Sequence, residues 1–178
     1  MNKTSQIFLF VLIALCLGLC LSVYLKQPKI VFVRSQELVY AYEGTKEAQT
    51  KYTQQKESWQ ANVDTLKMSF QKAVASYNAN YSRMNNTERA EQERLLATQE
   101  TQLQQYIGAI DQKSKMQDDE MMQNVLNQIN SFSEAYGKEH GYDVILGTTS
   151  SGNVLYGKKS LDITEEILKA LNKKYQGE

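Results

Sequence analysis

The nine residues GNVLYGKKS at positions 152–160 come within one residue of a phosphate-binding loop. That loop has the pattern G-x-x-x-x-G-K-[ST], in which backbone amides hold phosphate and the last hydroxyl holds Mg²⁺. Gly152, Gly157 and Lys158 fit the pattern, but Lys159 replaces the hydroxyl residue. The NVLY segment between the glycines is more typical of a strand than of a loop. We therefore predict no nucleotide site here and no nucleotide as a partner.

The rest of the chain offers little material for catalysis or metal binding. His140 is the only histidine, and Cys16 and Cys20 are the only cysteines. A zinc site needs several nitrogen or sulfur ligands, and a catalytic nucleophile needs a neighbouring base. The acidic run DDE at 118–120 is more typical of a solvated helix face. We expect a protein that is not an enzyme and uses no metal or cofactor, and its net charge of +0 argues against nucleic acid as a partner.

The N-terminal segment is apolar. Residues 7–25 contain no charged side chain and follow Lys3. A run of about 20 apolar residues is long enough to cross a bilayer as a helix. A signal peptide has a core of about 7–15 residues and a small-residue cleavage site, and no A-x-A sequence is present. Residues 1–25 therefore form either a membrane anchor, which we favour, or a cleaved signal, and both predict that the chain leaves the cytoplasm.

A long helical hairpin is predicted for residues 45–139. Pro28 is the only proline, so none interrupts a helix after it. From Trp59 to Tyr77 the apolar residues recur at steps of 4, 3, 4, 3 and 4, which is the spacing of a coiled-coil seam. The sequence therefore predicts two long antiparallel arms.

The ends of the predicted helices have capping residues. Asn85 and Glu88 fit a capping box in the polar turn between the arms. Gly44 is predicted to end a short preceding helix, and Thr45 to cap the first arm. Asp162 is predicted to cap a short C-terminal helix.

Short strands flank the hairpin. KIVFV at 29–33 predicts a strand, and residues 29–44 are predicted to form this strand and a short helix. Residues 140–178 are predicted to form a β-hairpin, from YDVIL at 142–146 and NVLY at 153–156, followed by the terminal helix. The predicted fold class is α+β, mostly α, with a long helical hairpin on a small β body, preceded by the apolar helix of residues 1–25.

The strands are too few and too short to close a core or protect their edges in one copy. Several copies that share their strands in one barrel would remove the edges. We therefore predict a homo-oligomer whose shared β body is formed by Ile30, Phe32, Val144, Leu146, Val154 and Tyr156.

The combination of these segments resembles a known family. A K-I-x-x-V strand followed by SQELVYAY, a Gln/Glu/Lys-rich hairpin, GYDVIL and VLYGKKSLDITEEILKALN are similar to the OmpH/Skp family of periplasmic chaperones, over about residues 29–174. The resemblance implies a homotrimer in the periplasm. In that family three helical tentacles enclose a cavity that holds unfolded outer-membrane proteins without ATP.

Two features differ from the better-known members of that family. Their tentacles are basic, whereas residues 36–139 here carry 11 basic and 15 acidic side chains, a net charge of −4. Their signal is cleaved, whereas residues 7–25 are able to stay in the membrane and anchor the chain to the inner membrane.

The predicted function is an ATP-independent holdase. Aromatic and Met side chains adapt to varied apolar partners, and the candidate client contacts on the arms are Trp59, Tyr77, Tyr81, Met84, Met116, Met121 and Met122. Trp59, Tyr77 and Met121 also fit the seam between the arms. The alternative function is a membrane-anchored coiled-coil scaffold or spacer that holds no client.

Overall fold

The computed structural model describes residues 12–18, 27–149 and 152–177. The chain forms two compact units. The first contains the described residues up to Leu38 and Ser131–Ala170, and the second contains Val39–Asn130 and the described residues from Leu171. The elements, in order, are β1 (Ile30–Arg34), α1 (Ser35–Ala41), α2 (Glu43–Asn80), a 3-10 turn (Tyr81–Arg83), α3 (Asn86–His140), β2 (Val144–Thr148), a second 3-10 turn (Lys159–Leu161) and α4 (Thr164–Tyr175).

The predicted fold class is confirmed, since the chain is mostly helical with a small two-stranded sheet. In the second unit, α2 and α3 pack together along the predicted seam. Its buried apolar side chains are Tyr42, Trp59, Val63, Leu103, Val125, Ile129 and Leu171. Steps of 3 and 4 residues keep such side chains on one side of each helix. Trp59 and Val63 of the predicted seam are buried, whereas Leu66, the next position, is 43% exposed.

The turn between the arms contains the predicted capping box. The backbone N–H of Asn85 donates to Glu88 Oε2 at 2.8 Å, and the N–H of Glu88 donates to Asn85 Oδ1 at 2.9 Å. Each side chain thus satisfies a backbone donor that the first turn of a helix leaves free.

The predicted cap at Thr45 is wrong, and so is the helix end at Gly44. Helix α1 ends at Ala41, Tyr42 has an extended backbone with ψ of 127°, and α2 begins at Glu43. Thr45 therefore lies inside α2, where it is 8% exposed. The reason is steric: a Cβ on Gly44 would lie 2.4 Å from the Tyr42 ring. Gly44 leaves room for this ring over the first turn of α2. It therefore lies in the start of α2 and does not end α1.

The predicted β-hairpin is also wrong. Strand β2 pairs in parallel with β1, from Ile30 opposite Val144 to Arg34 opposite Thr148. The described residues 152–156 form no strand. The Asn153 side chain accepts from the Thr149 N–H at 2.9 Å and donates to the Gly147 carbonyl at 2.6 Å. Both bonds use the Asn153 side chain, whereas a β-hairpin would need hydrogen bonds between the two backbones.

The first unit has its own small core. Alternation along β1 buries Val31 and Val33 on one face of the sheet. They share the interior of this unit with Leu38, Tyr136, Ile163, Thr164 and Ile167. Asp162, the predicted cap, bonds the start of α4, because its Oδ1 accepts the N–H of Thr164, the first residue of that helix, at 3.0 Å.

Most of the predicted N-terminal segment 7–25 lies outside the described residues. Residues 12–18 are helical and exposed. Among the residues that the structure describes, no helix combines the length and the apolar character needed to cross a membrane.

Candidate functional site

One face of the sheet in the first unit is apolar and exposed. The register places Ile30 opposite Val144 and Phe32 opposite Leu146, on the face that Val31 and Val33 do not use. Ile30 is 44%, Val144 40% and Leu146 42% exposed. Phe32 is half-buried because Gly157 lies against its ring, where a Cβ would come within 2.3 Å.

The segment after β2 adds further exposed apolar surface to the same unit. Leu155 is 93% and Tyr156 83% exposed, and Val154 is half-buried. Of the residues predicted to form a shared β body, four are therefore open to solvent in one chain, namely Ile30, Val144, Leu146 and Tyr156. Leu155, which the sequence analysis did not select, is more exposed than any of them.

A charged cluster closes the other edge of β1. Phe32 forms a parallel bridge with Asp162, and Arg34 Nε donates to Asp162 Oδ2 at 3.0 Å. The N–H of Arg34 donates to Thr164 Oγ1 at 2.9 Å. Burial raises the pKa of the Asp162 carboxyl, but hydrogen bonds from Thr164 and the Arg34 charge outweigh burial and lower it. This cluster ties the strand to the start of α4.

The stretch that resembles a phosphate-binding loop has a different geometry. Gly152 has φ of +85°, Lys158 is extended and α4 begins only at Thr164. A phosphate-binding loop instead leads directly into a helix at its Lys. The glycine at 157 serves close packing on Phe32.

The hairpin tip fixes two of the predicted client contacts in place. The Tyr77 hydroxyl donates to Glu93 Oε1 at 2.5 Å, and this hydrogen bond raises the pKa of Tyr77 to about 12. The Tyr81 ring meets Tyr77 edge-on at 5.6 Å, and the Arg89 guanidinium lies 4.1 Å from the Tyr81 ring centre. Met84, three residues after Tyr81, is half-buried.

The other predicted contacts differ in exposure. Trp59 is 9% exposed, and the Lys113 ammonium nitrogen lies over its ring, 4.9 Å from the centre of the Trp59 ring. Met116 is 63% and Met122 37% exposed, and Met121 is half-buried. Met68, which the sequence analysis did not select, is 54% exposed on α2.

Two grooves open along the hairpin in the second unit. The tip-side groove has a volume of about 390 Å³ and is lined by Leu66, Ser69, Phe70, Gln99, Gln102, Leu103 and Tyr106. The base-side groove, of about 380 Å³, is lined by residues that include Ala48, Lys51, Tyr52, Gln117, Glu120 and Met121. The predicted seam from Trp59 to Tyr77 includes Leu66 and Phe70, so the periodicity did not reveal the first groove. Whether these side chains also line a groove depends on the distance between the two helices.

The chain is similar to proteins of one family. The model of the OmpH family, outer membrane protein (OmpH-like), matches residues 29–171. A crystal structure from Caulobacter crescentus CB15, of a protein described as an OmpH-like outer membrane chaperone, matches with a TM-score of 0.74. The match covers 83% of this chain and 86% of that chain at 13% identity, which shows a shared fold. No curated protein matches significantly.

Proposed function

Because the chain belongs to the OmpH-like family of outer membrane protein chaperones, we propose that it is an ATP-independent holdase that binds unfolded outer-membrane proteins. The family match carries the proposal, since it includes both the long hairpin and the sheet with its terminal helix. These chaperones are not enzymes. The physical task is to shield strands whose alternating apolar faces otherwise aggregate.

Exposed flexible side chains on the hairpin support this function. Met68, Met116 and Met122 are exposed on the arms, and methionine adapts to irregular apolar partners. Trp59 is buried in the seam, so we propose the exposed methionines, Met84 and Tyr81 as the client contacts. Many weak contacts of this kind allow release without nucleotide hydrolysis.

We further propose that the chain works as a homotrimer joined by the exposed sheet face. Ile30, Val144, Leu146 and Tyr156 form apolar surface that a soluble protein normally covers. Phe32 and Val154, which are already half-buried in one chain, would become fully enclosed in the same body.

The family places the protein in the cell envelope, and we propose a periplasmic location for residues 27–178. Residues 7–25 carry no charge, so we propose that they anchor the chain to the inner membrane. The mass of the mature protein from cells checks this proposal, because a cleaved signal would remove residues 1–25.

The function is tested by diluting a urea-denatured outer-membrane β-barrel protein into buffer that contains this chain. We expect a stoichiometric amount of chain to suppress light scattering, equally with and without ATP. Replacing Met68, Met116 and Met122 together by Ser should weaken suppression several-fold, because each methionine makes a weak contact that is only a small part of the about 1.5–3 kcal/mol that full burial of its side chain would supply. Scattering that rises as fast with the chain as without it would overturn the holdase.

The second candidate is a membrane-anchored scaffold or spacer. The uncharged segment 7–25 and the net charge of −4 on residues 36–139 favour it. A scaffold would leave client aggregation unchanged, so the same dilution experiment separates the two functions.

A further inference from the structure

The two grooves lie on the same flank of the hairpin. On α2, the residues Leu66, Ser69 and Phe70 of the tip-side groove come 18 residues after Ala48, Lys51 and Tyr52 of the base-side groove. Eighteen residues are about five turns at 3.6 residues per turn. Corresponding side chains therefore leave α2 in the same direction.

Helix α3 repeats the same interval. Gln99, Gln102 and Leu103 of the tip-side groove come 18 residues before Gln117, Glu120 and Met121 of the base-side groove. Both helices thus present equivalent positions to both grooves. At 1.5 Å per residue the groove centres are about 27 Å apart along the hairpin.

The two grooves differ in chemistry. The tip-side groove is apolar and aromatic, with Leu66, Phe70, Leu103 and Tyr106 in its lining. The base-side groove contains two carboxylates, those of Glu47 and Glu120.

The charge of Glu47 is already matched. Lys51 lies 2.6 Å from one of its oxygens, and the Tyr175 hydroxyl donates to the other at 2.5 Å. Among the described residues, Glu120 has no ion pair or side-chain hydrogen bond. The base-side groove therefore offers one unmatched negative charge to an occupant.

We propose that this flank binds one extended segment of an unfolded client, with an apolar side chain in the tip-side groove and a Lys or Arg beside Glu120. The inference rests on the proposed holdase function and adds which pattern of side chains in a client the hairpin selects. We call the residues that line both grooves the two-groove flank.

The distance between the grooves determines the spacing in the client. An extended chain rises about 3.3 Å per residue, so about eight residues span the 27 Å. Eight is an even number, and side chains an even number of residues apart lie on the same face of a strand. A membrane-spanning strand has about 9–11 residues, so a single client strand is long enough to reach both grooves.

The spacing is tested with fluorescent 14-residue peptides of one composition and the full-length chain. Each peptide carries one Phe and one Arg, placed four, seven or eight residues apart. Losing one buried aromatic anchor typically weakens binding about tenfold, whereas losing an exposed ion pair weakens it a few-fold. In polarisation measurements, we therefore expect the peptide whose Phe and Arg are eight residues apart to bind several-fold to about tenfold more tightly than the other two. Equal affinities for the three peptides would overturn the proposal.

The grooves themselves are tested with matched substitutions on α3. Gln102→Trp fills the tip-side groove, and Gln112→Trp places the same side chain at an exposed position outside it. Glu120→Lys reverses the charge in the base-side groove, and Glu100→Lys does so at an exposed position outside it. Gln102→Trp should weaken binding of the peptide with the eight-residue spacing about tenfold, and Glu120→Lys should weaken it a few-fold. The two control variants should bind this peptide as the unaltered chain does.

The results also separate this inference from the holdase function. If the groove variants bind the peptides and suppress client aggregation as well as their controls, the proposed binding at the two-groove flank is wrong, while the holdase function stands. If the unaltered chain fails to suppress aggregation, the holdase function is wrong. Far-UV circular dichroism of each variant shows whether the helices are retained, and the peptide comparison needs no variant.

Discussion

Two tyrosines each share a short hydrogen bond with a glutamate on a neighbouring helix. Tyr77 donates to Glu93 and Tyr175 donates to Glu47, both at 2.5 Å. These bonds exist only while the phenol keeps its proton. The glutamates therefore raise the pKa of each tyrosine from 10.0 to about 12.

This arrangement predicts a loss of stability at alkaline pH. A pKa raised on folding gives a contribution that is complete below about pH 10 and lost as pH rises through about 12. We expect the melting temperature to fall over that interval, and to fall less in Tyr77→Phe and Tyr175→Phe. Tyr40→Phe is the control, since Tyr40 is 67% exposed. An identical pH profile in all four proteins would contradict the expectation.

Two glycines inside helices have opposite roles. A Cβ on Gly44 would meet the Tyr42 ring at 2.4 Å, and that ring is held by a 2.9 Å hydrogen bond to Gln128 and by the edge of Tyr175 at 5.5 Å. A Cβ on Gly108 would meet no heavy atom within 4 Å. Gly44 is thus required for a close contact, whereas Gly108 only weakens its helix.

Alanine at these positions should have effects of opposite sign. Overpacking costs about 1–3 kcal/mol and better helix propensity returns about 1 kcal/mol. We expect Gly44→Ala to lower the free energy of unfolding by about 1 kcal/mol and Gly108→Ala to raise it by about 1 kcal/mol. Urea denaturation measures both. A destabilising Gly108→Ala would show that the helix needs its glycine, for example as a point of bending.

At the scale of the elements, the turn between α2 and α3 depends on a side-chain cap. Asn85 and Glu88 exchange hydrogen bonds at 2.8 and 2.9 Å. Replacing an Asn cap by Ala typically costs about 1 kcal/mol. We expect Asn85→Ala to lose about that much stability in urea denaturation and Asn85→Asp to keep most of it.

Asn78 provides the matched control for the cap, because it is exposed in the interior of α2. Alanine is the better helix former there, so Asn78→Ala should leave stability unchanged or slightly higher. An equal loss in both variants would show that the cap contributes nothing specific.

The elements also show where local patterns mislead. YDVIL and NVLY are close in sequence and both have strand character, which predicted a hairpin. Strand β2 pairs with β1 instead, across more than 100 residues. The Asn153 side chain and the contact of Gly157 with Phe32 favour a loop at NVLY. The contact of Gly157 with Phe32 is not visible in the local sequence, because it depends on where β1 lies.

At the scale of the whole molecule, the exposed sheet face predicts association. We expect residues 27–178 to sediment as a trimer at micromolar concentration. Leu146→Glu should shift the mass toward a monomer, because a charge buried without a partner costs several kcal/mol. Leu95→Glu is the control, since Leu95 is 41% exposed on α3, in the hairpin. A stable monomer of the unaltered residues 27–178 would contradict the proposed trimer.

The sequence by itself determined the helical hairpin, the capping box at its turn and the family. The 3–4 periodicity from Trp59 to Tyr77 and the Asn85–Glu88 spacing express local geometry that each helix obeys on its own. Only the tertiary structure decided the parallel pairing of β1 with β2, the place of Thr45 inside α2 and the two grooves on one flank. These features depend on how closely separate elements approach, as when the Tyr42 ring covers Gly44. Such distances follow from packing between segments far apart in the chain, which a local pattern does not contain.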